Sequence, residues 1–93
     1  MKVIWEPLPG RQWQKQIDWY REYKGEDFAR QFSDSIKKTV GLIATMPDIG
    51  QKMPFENAKN IRSILVHPKC RLVYRYNKTT IRIVRLYFTM MQN

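Results

Sequence analysis

"CRLVYRYNKTTIRIVRLYFTMMQN", residues 70–93, is the stretch whose reading decides the fold. Branched and aromatic residues alternate with polar ones on either side of "NKTT", which predicts two strands, 70–77 and 80–89, joined by a tight turn. A third strand, 61–67, precedes them across "HPKC", where Pro68 suits the second position of a turn. Pairing His67 with Cys70 and Asn77 with Thr80 then sets the register of an antiparallel three-stranded sheet.

In that register one face carries Ile61, Leu65, Leu72, Tyr74, Tyr76, Ile81 and Ile83 and should pack on the rest of the chain. The other face collects Arg62, Arg71, Arg75 and Arg82, with Ile64, Val66, Val73, Val84 and Leu86 between them. Arg62 falls opposite Arg75, and Arg75 opposite Arg82. Like charges facing each other across strands cost some tenths of a kcal/mol up to about 1 kcal/mol. A row of three therefore points to binding, of nucleic acid phosphate or of the carboxylates of an acidic chain. The plainer alternative is guanidinium groups splayed into water, their stems covering Val73 and Val84.

Working outward, "MPDIGQKMPFENAKN" (46–60) has two prolines, a glycine and no period, and reads as a loop. Before it, Phe28, Phe32, Ile36, Val40 and Ile43 recur at helical spacing up to the residue before Pro47, with Glu26 and Asp27 at the positive end of the helix dipole. Trp13, Ile17 and Tyr20 make an earlier apolar stripe that begins at Gln12 and stops at Gly25. The two helices form an antiparallel hairpin, and their aromatic residues are core rather than a stacking platform. "KVIWE" (2–6) is a short strand closed by Pro7 and Pro9. The expected architecture is α+β: an N-terminal strand, a helical hairpin, then a three-stranded antiparallel sheet joined by the first strand.

The chain's 93 residues, 43% of them hydrophobic, suffice for a single domain spanning 1–93 and one core. No run of about twenty apolar residues is present, so no membrane association and a cytoplasmic setting are expected. One cysteine, Cys70, and one histidine, His67, cannot assemble a metal site, and no cofactor is expected. The net charge of +9 is uneven: residues 1–56 hold 9 basic and 8 acidic side chains, whereas residues 57–93 hold 8 basic and none acidic. A half so biased attracts polyanions or an acidic partner before contact is made.

The order of these elements, with "MPDIG" after the second helix, "NIRSILV" opening the sheet and "CRLVYRYN" at its centre, resembles the RelE/ParE toxin superfamily of type II toxin–antitoxin systems. The resemblance covers nearly the whole chain and implies a toxin neutralised by an acidic antitoxin that folds on binding. One branch of the superfamily cleaves mRNA on the ribosome; another inhibits DNA gyrase. Against the cleaving branch, Arg71 stands at the sheet arginine that stabilises phosphate, and Arg62 stands where one of the lysines would be. Ile64 replaces the second lysine, Met91 replaces a late arginine, and the chain ends at Asn93 before the C-terminal tyrosine some cleavers use.

Cleavage through a 2′-hydroxyl needs a proton acceptor, a donor and a stabiliser of the charged phosphorane. Arginine supplies only the last, so Arg62 is a poor base. His67, beside Pro68 in a turn, reads as a surface residue, and Tyr74 or Tyr87 would donate a proton only with a lowered pKa. The sequence thus favours a toxin that acts by binding, gyrase being the family precedent. An mRNA endonuclease using Arg71 and Arg62, and a non-toxic relative that binds antitoxin or nucleic acid, remain the alternatives.

Overall fold

A computed structural model describes residues 1–53 and 60–88. The chain runs β1 (Lys2–Trp5), α1 (Pro7–Lys24), α2 (Glu26–Thr45), β2 (Gln51–Lys52), β3 (Ile61–His67), β4 (Cys70–Tyr76) and β5 (Thr80–Phe88). The strands form one sheet in the order β1-β5-β4-β3-β2. All its pairings are antiparallel except β1 with β5, which is parallel, so the sheet is mixed.

The prolines after β1 start a helix where the sequence suggested only a strand end. Pro7 occupies the first turn of α1, where its missing N–H costs no hydrogen bond, and the helix begins five residues earlier than Gln12. Gly25 ends it at φ 95°, a left-handed conformation that a side chain would resist, and α2 begins at once with Glu26 and Asp27 in its first turn. α2 stops at Thr45, ahead of Pro47. The helical hairpin covers one face of the sheet, α1 over β5 and α2 over β3. Tyr20, Phe32, Ile36 and Ile43 from the helices bury against Leu72, Tyr74, Ile81 and Ile83 from the strands.

Both turns keep the expected pairings. His67 pairs with Cys70, and the Asn77 N–H donates to the Thr80 carbonyl at 3.0 Å. The Asn77 side-chain oxygen also accepts the Thr79 and Thr80 N–H groups at 2.9 and 2.8 Å, a side-chain turn that fixes the β4–β5 hairpin. Beyond the turns, two bulges break the alternation.

Val66 is an extra residue in β3, so Leu65 pairs with Arg71, Ile64 with Leu72 and Arg62 with Tyr74. Val84 is an extra residue in β5, so Tyr74 pairs with Ile83 but Val73 with Arg85. Three expectations change as a result. Leu65 is exposed on the outer face, whereas Ile64, Val66 and Leu86 join the core. Ile61 moves to the outer face, opposite Arg75. Arg62 lies opposite Tyr74 rather than Arg75 and leaves the arginine row for the helix-facing side. The 46–60 segment also contributes the two-residue strand β2 at the sheet edge, which was expected to be loop.

Candidate functional site

Of the four arginines expected together, the sheet places Arg71, Arg75 and Arg82 on the outer face and Arg62 on the opposite one. Arg75 and Arg82 face each other directly, as the turn register implies. Arg82 is not uncompensated: its guanidinium meets the Glu6 carboxylate, just past the end of β1, at 3.1 Å. Both side chains are about half exposed, so this pair adds little stability, but it removes one positive charge from the face.

Arg62 has a different task. Its Nη1 donates to the Gly50 carbonyl at 2.8 Å and its Nε to the Tyr76 hydroxyl at 3.3 Å. The Tyr76 contact raises the guanidinium pKa still further, which removes any capacity to act as a base. Tyr74 completes the same cluster: its hydroxyl donates to the Pro47 carbonyl at 2.6 Å and accepts the Gly50 N–H at 3.0 Å. Burial raises the Tyr74 pKa, so the phenol stays protonated. Together these bonds strap the turn after α2 to the sheet.

On the outer face Arg71 is held by neighbours on two strands. Its Nη1 donates to Ser63 Oγ at 3.2 Å and reaches Gln51 Oε1 at 3.5 Å, the second contact being possible only because β2 adds an edge to the sheet. Across β5 it faces Tyr87. The Val84 bulge turns Arg85 outward as well, opposite Val73, and its Nη1 donates to the Tyr87 hydroxyl at 3.1 Å. Arg85 and Tyr87 therefore share this face with Arg71, which the unbroken alternation did not indicate. Among the described residues the outer face carries no carboxylate except Glu6 and no imidazole.

His67 lies on the helix side. Its ring packs edge-on against Phe32 at 5.1 Å and against Phe28 at 6.3 Å, and its Nδ1 accepts the Lys69 N–H at 3.2 Å. Burial, then the nearby Lys69 charge, lower its pKa, so it is a neutral packing residue. Cys70 is fully buried beside it, its thiol pushed up to about 12 by burial. No group of metal-ligating side chains exists among the described residues, and no helix there is long and apolar enough to cross a membrane. Met91 falls outside the described residues.

A helical hairpin laid on one face of a mixed sheet, with arginines on the other, defines a small basic α+β protein. The family model for the ParE toxin of type II toxin–antitoxin systems, parDE, matches residues 3–92, and the chain belongs to that family. A search of curated protein sequences gave no match. Among solved structures, the chromosomal ParDE system of P. aeruginosa is similar at a TM-score of 0.74 and 17% identity, over 95% of each chain. The YoeB dimer from Staphylococcus aureus is similar at 0.68 and 15% identity, over 95% of each chain. The E. coli DinJ-YafQ toxin-antitoxin complex follows at 0.60 and 12% identity, over 94% of this chain and 90% of that one. At such identities these likenesses speak for the fold.

Proposed function

We propose that this toxin acts in the cytoplasm by binding a macromolecular target, DNA gyrase by family precedent, and that an acidic antitoxin neutralises it. The separation of Arg62 from Arg71 carries this reading. RNA cleavage would need a base and an acid beside the phosphate-stabilising arginine. Arg62 is instead tied to Gly50 and Tyr76 on the far side of the sheet, and His67 is packed between phenylalanines on that side. Among the described residues the outer face offers groups for contact and no carboxylate or imidazole beside Arg71 to take a proton. An antitoxin partner follows from the charge of the chain and from the toxin–antitoxin pairing in the solved structures it resembles. Electrostatic steering would make salt slow that association more than it speeds dissociation.

Induced expression of the chain alone, with plasmid supercoiling and mRNA ends read separately, tests the assignment. Loss of negative supercoiling with intact messages is expected. Ribosome-dependent cleavage abolished by Arg71→Ala would overturn it in favour of the endonuclease reading.

A further inference from the structure

One end of the outer face, bordered by β1, gathers positive charge around the Glu6 carboxylate. Lys2 and Ile4 lie on that face of β1, since Val3 and Trp5 pack into the core. Ile4 pairs with Arg82 on β5, and Arg82 with Arg75 on β4, so an isoleucine and two arginines form a row across three strands. Directly paired side chains stand about 4.5–5.5 Å apart at Cβ, close enough for both guanidinium groups to meet one carboxylate. Arg75 and Lys2 are exposed, and neither side chain has an ion pair or hydrogen bond among the described residues. Glu6 holds Arg82 by one contact, Nη1 to Oε2 at 3.1 Å, with both side chains about half exposed. Glu6 is also the N-cap of α1, yet its carboxylate makes no capping bond, and Pro9 leaves the third helical position without an N–H to offer. The carboxylate can therefore leave Arg82 without uncapping the helix or leaving it uncapped.

We propose that Lys2, Arg75 and Arg82 form a docking patch for an acidic polypeptide segment, and that Glu6 competes for it from within the chain. This rests on the antitoxin part of the reading above and adds a regulation of that contact. In the free protein Glu6 takes one guanidinium; on docking, a carboxylate of the partner bridges Arg75 and Arg82, and Glu6 turns to water. Two features select a polypeptide. Arg82 already holds a carboxylate in this geometry. Half-buried Ile4 lies beside it, and an acidic polypeptide supplies apolar side chains next to its carboxylates, which a phosphodiester backbone does not. A half-exposed pair with one contact contributes little, so the internal carboxylate lowers affinity without blocking the patch. It also sharpens the choice of partner, because a ligand must offer more than a lone carboxylate to displace it.

Fluorescence anisotropy of the full-length protein with a short labelled polyglutamate peptide at low salt tests the patch. Glu6→Gln should bind the peptide about twofold to fivefold more tightly than wild type, the range a half-exposed ion pair can contribute. Asp27→Asn removes the same charge from an ion pair on α2 and should change affinity by less than about twofold. Arg75→Gln and Arg82→Gln should each weaken binding about fivefold. Glu6→Gln combined with Arg82→Gln should bind no more tightly than Arg82→Gln alone, because the competitor acts through that arginine. Thermal melts establish that each variant is folded. Lys2→Gln, at a residue outside any described ion pair, carries the test with a loss of about twofold if an arginine variant is not.

A gain from Glu6→Gln no larger than that from Asp27→Asn, or one that persists beside Arg82→Gln, would overturn the internal competitor. So would a larger gain from Glu6→Gln for a DNA duplex than for the peptide, which would assign the patch to nucleic acid. In these cases peptide binding by the wild-type chain still stands, and with it the antitoxin reading. Absence of peptide binding by wild type and variants alike would overturn both.

Discussion

Adding one methyl group at Gly50 should do unusual damage. A Cβ there would lie 2.8 Å from the Ser63 carbonyl oxygen and 2.8 Å from the Tyr74 hydroxyl, with the Arg62 Cβ at 3.1 Å. None of these is the loose end of a flexible side chain: Ser63 is fixed in the β3 ladder, and the Tyr74 hydroxyl is held between Gly50 and Pro47. Ordinary contact returns only after a displacement of about 0.6 Å, enough to break both Tyr74 bonds and the Arg62 bond to the Gly50 carbonyl. Overpacking of this kind costs about 1–3 kcal/mol and a buried hydroxyl stripped of its partners about 1–3 kcal/mol more. With a total near 3 kcal/mol and a loss of about 4–8 °C per kcal/mol in a domain of this size, Gly50→Ala should melt about 12–24 °C below wild type. Circular dichroism melts measure it. Gly10→Ala is the control, since nothing lies within 4 Å of a Cβ there and alanine favours a helix. A fall of less than about 4 °C at Gly50 would refute the strap, because it would mean that the turn yields without losing its bonds.

Arg75→Gln should leave the melting temperature unchanged or slightly raised, since it removes a charge facing Arg82, while Arg82→Gln loses a half-exposed pair with Glu6 worth about 0–1 kcal/mol. The double variant should therefore melt within about 5 °C of wild type, and ready unfolding would mark both arginines as structural. For His67 the folded pKa lies below 6.5, so the unfolded chain binds more protons as pH falls through this range and stability declines on the acid side. Denaturant midpoints at about pH 7.5 and about pH 5.5 should converge in His67→Gln relative to wild type, and an unchanged difference would show that burial does not perturb the ring.

Much of the fold was legible because it rests on strong local signals. Phe28, Phe32, Ile36 and Ile43 read as one helical stripe and are one, and "NKTT" folds as the hairpin that its asparagine favours. The faces of the sheet were less legible, because strand period is two and one extra residue inverts every later assignment. Val66 and Val84 are ordinary strand residues that nothing local marks as bulged. A sign was nevertheless present at Arg85: continuing the alternation from Ile81 and Ile83 would have driven its charge into the core, which a small domain cannot tolerate without a partner. The opposite error placed Arg62 on the outer face beside Arg71 and Arg75, since its partners, Gly50 and Tyr76, are apart in sequence and one is a backbone carbonyl. Gln51 and Lys52 carry no apolar pattern, so β2 and its contact to Arg71 became visible only in three dimensions.

The parallel pairing of β1 with β5 sets the order in which this molecule can be completed. Lys2 donates its N–H to the Thr79 carbonyl, and Glu6 donates its own to the Ile83 carbonyl, so the earliest strand has its ladder partner in the last described one. During synthesis β1 emerges first and must wait, unpaired, while the helices and the β3–β4 hairpin form from contacts close in sequence. Closing that long loop is the entropically slow step, and docking of β5 should join β1 to the sheet and align Arg71 with Tyr87 in the same event. A ribosome making this protein therefore carries a nascent chain whose arginine face is still unassembled until β5 has been made, so the finished surface and the finished fold arrive together.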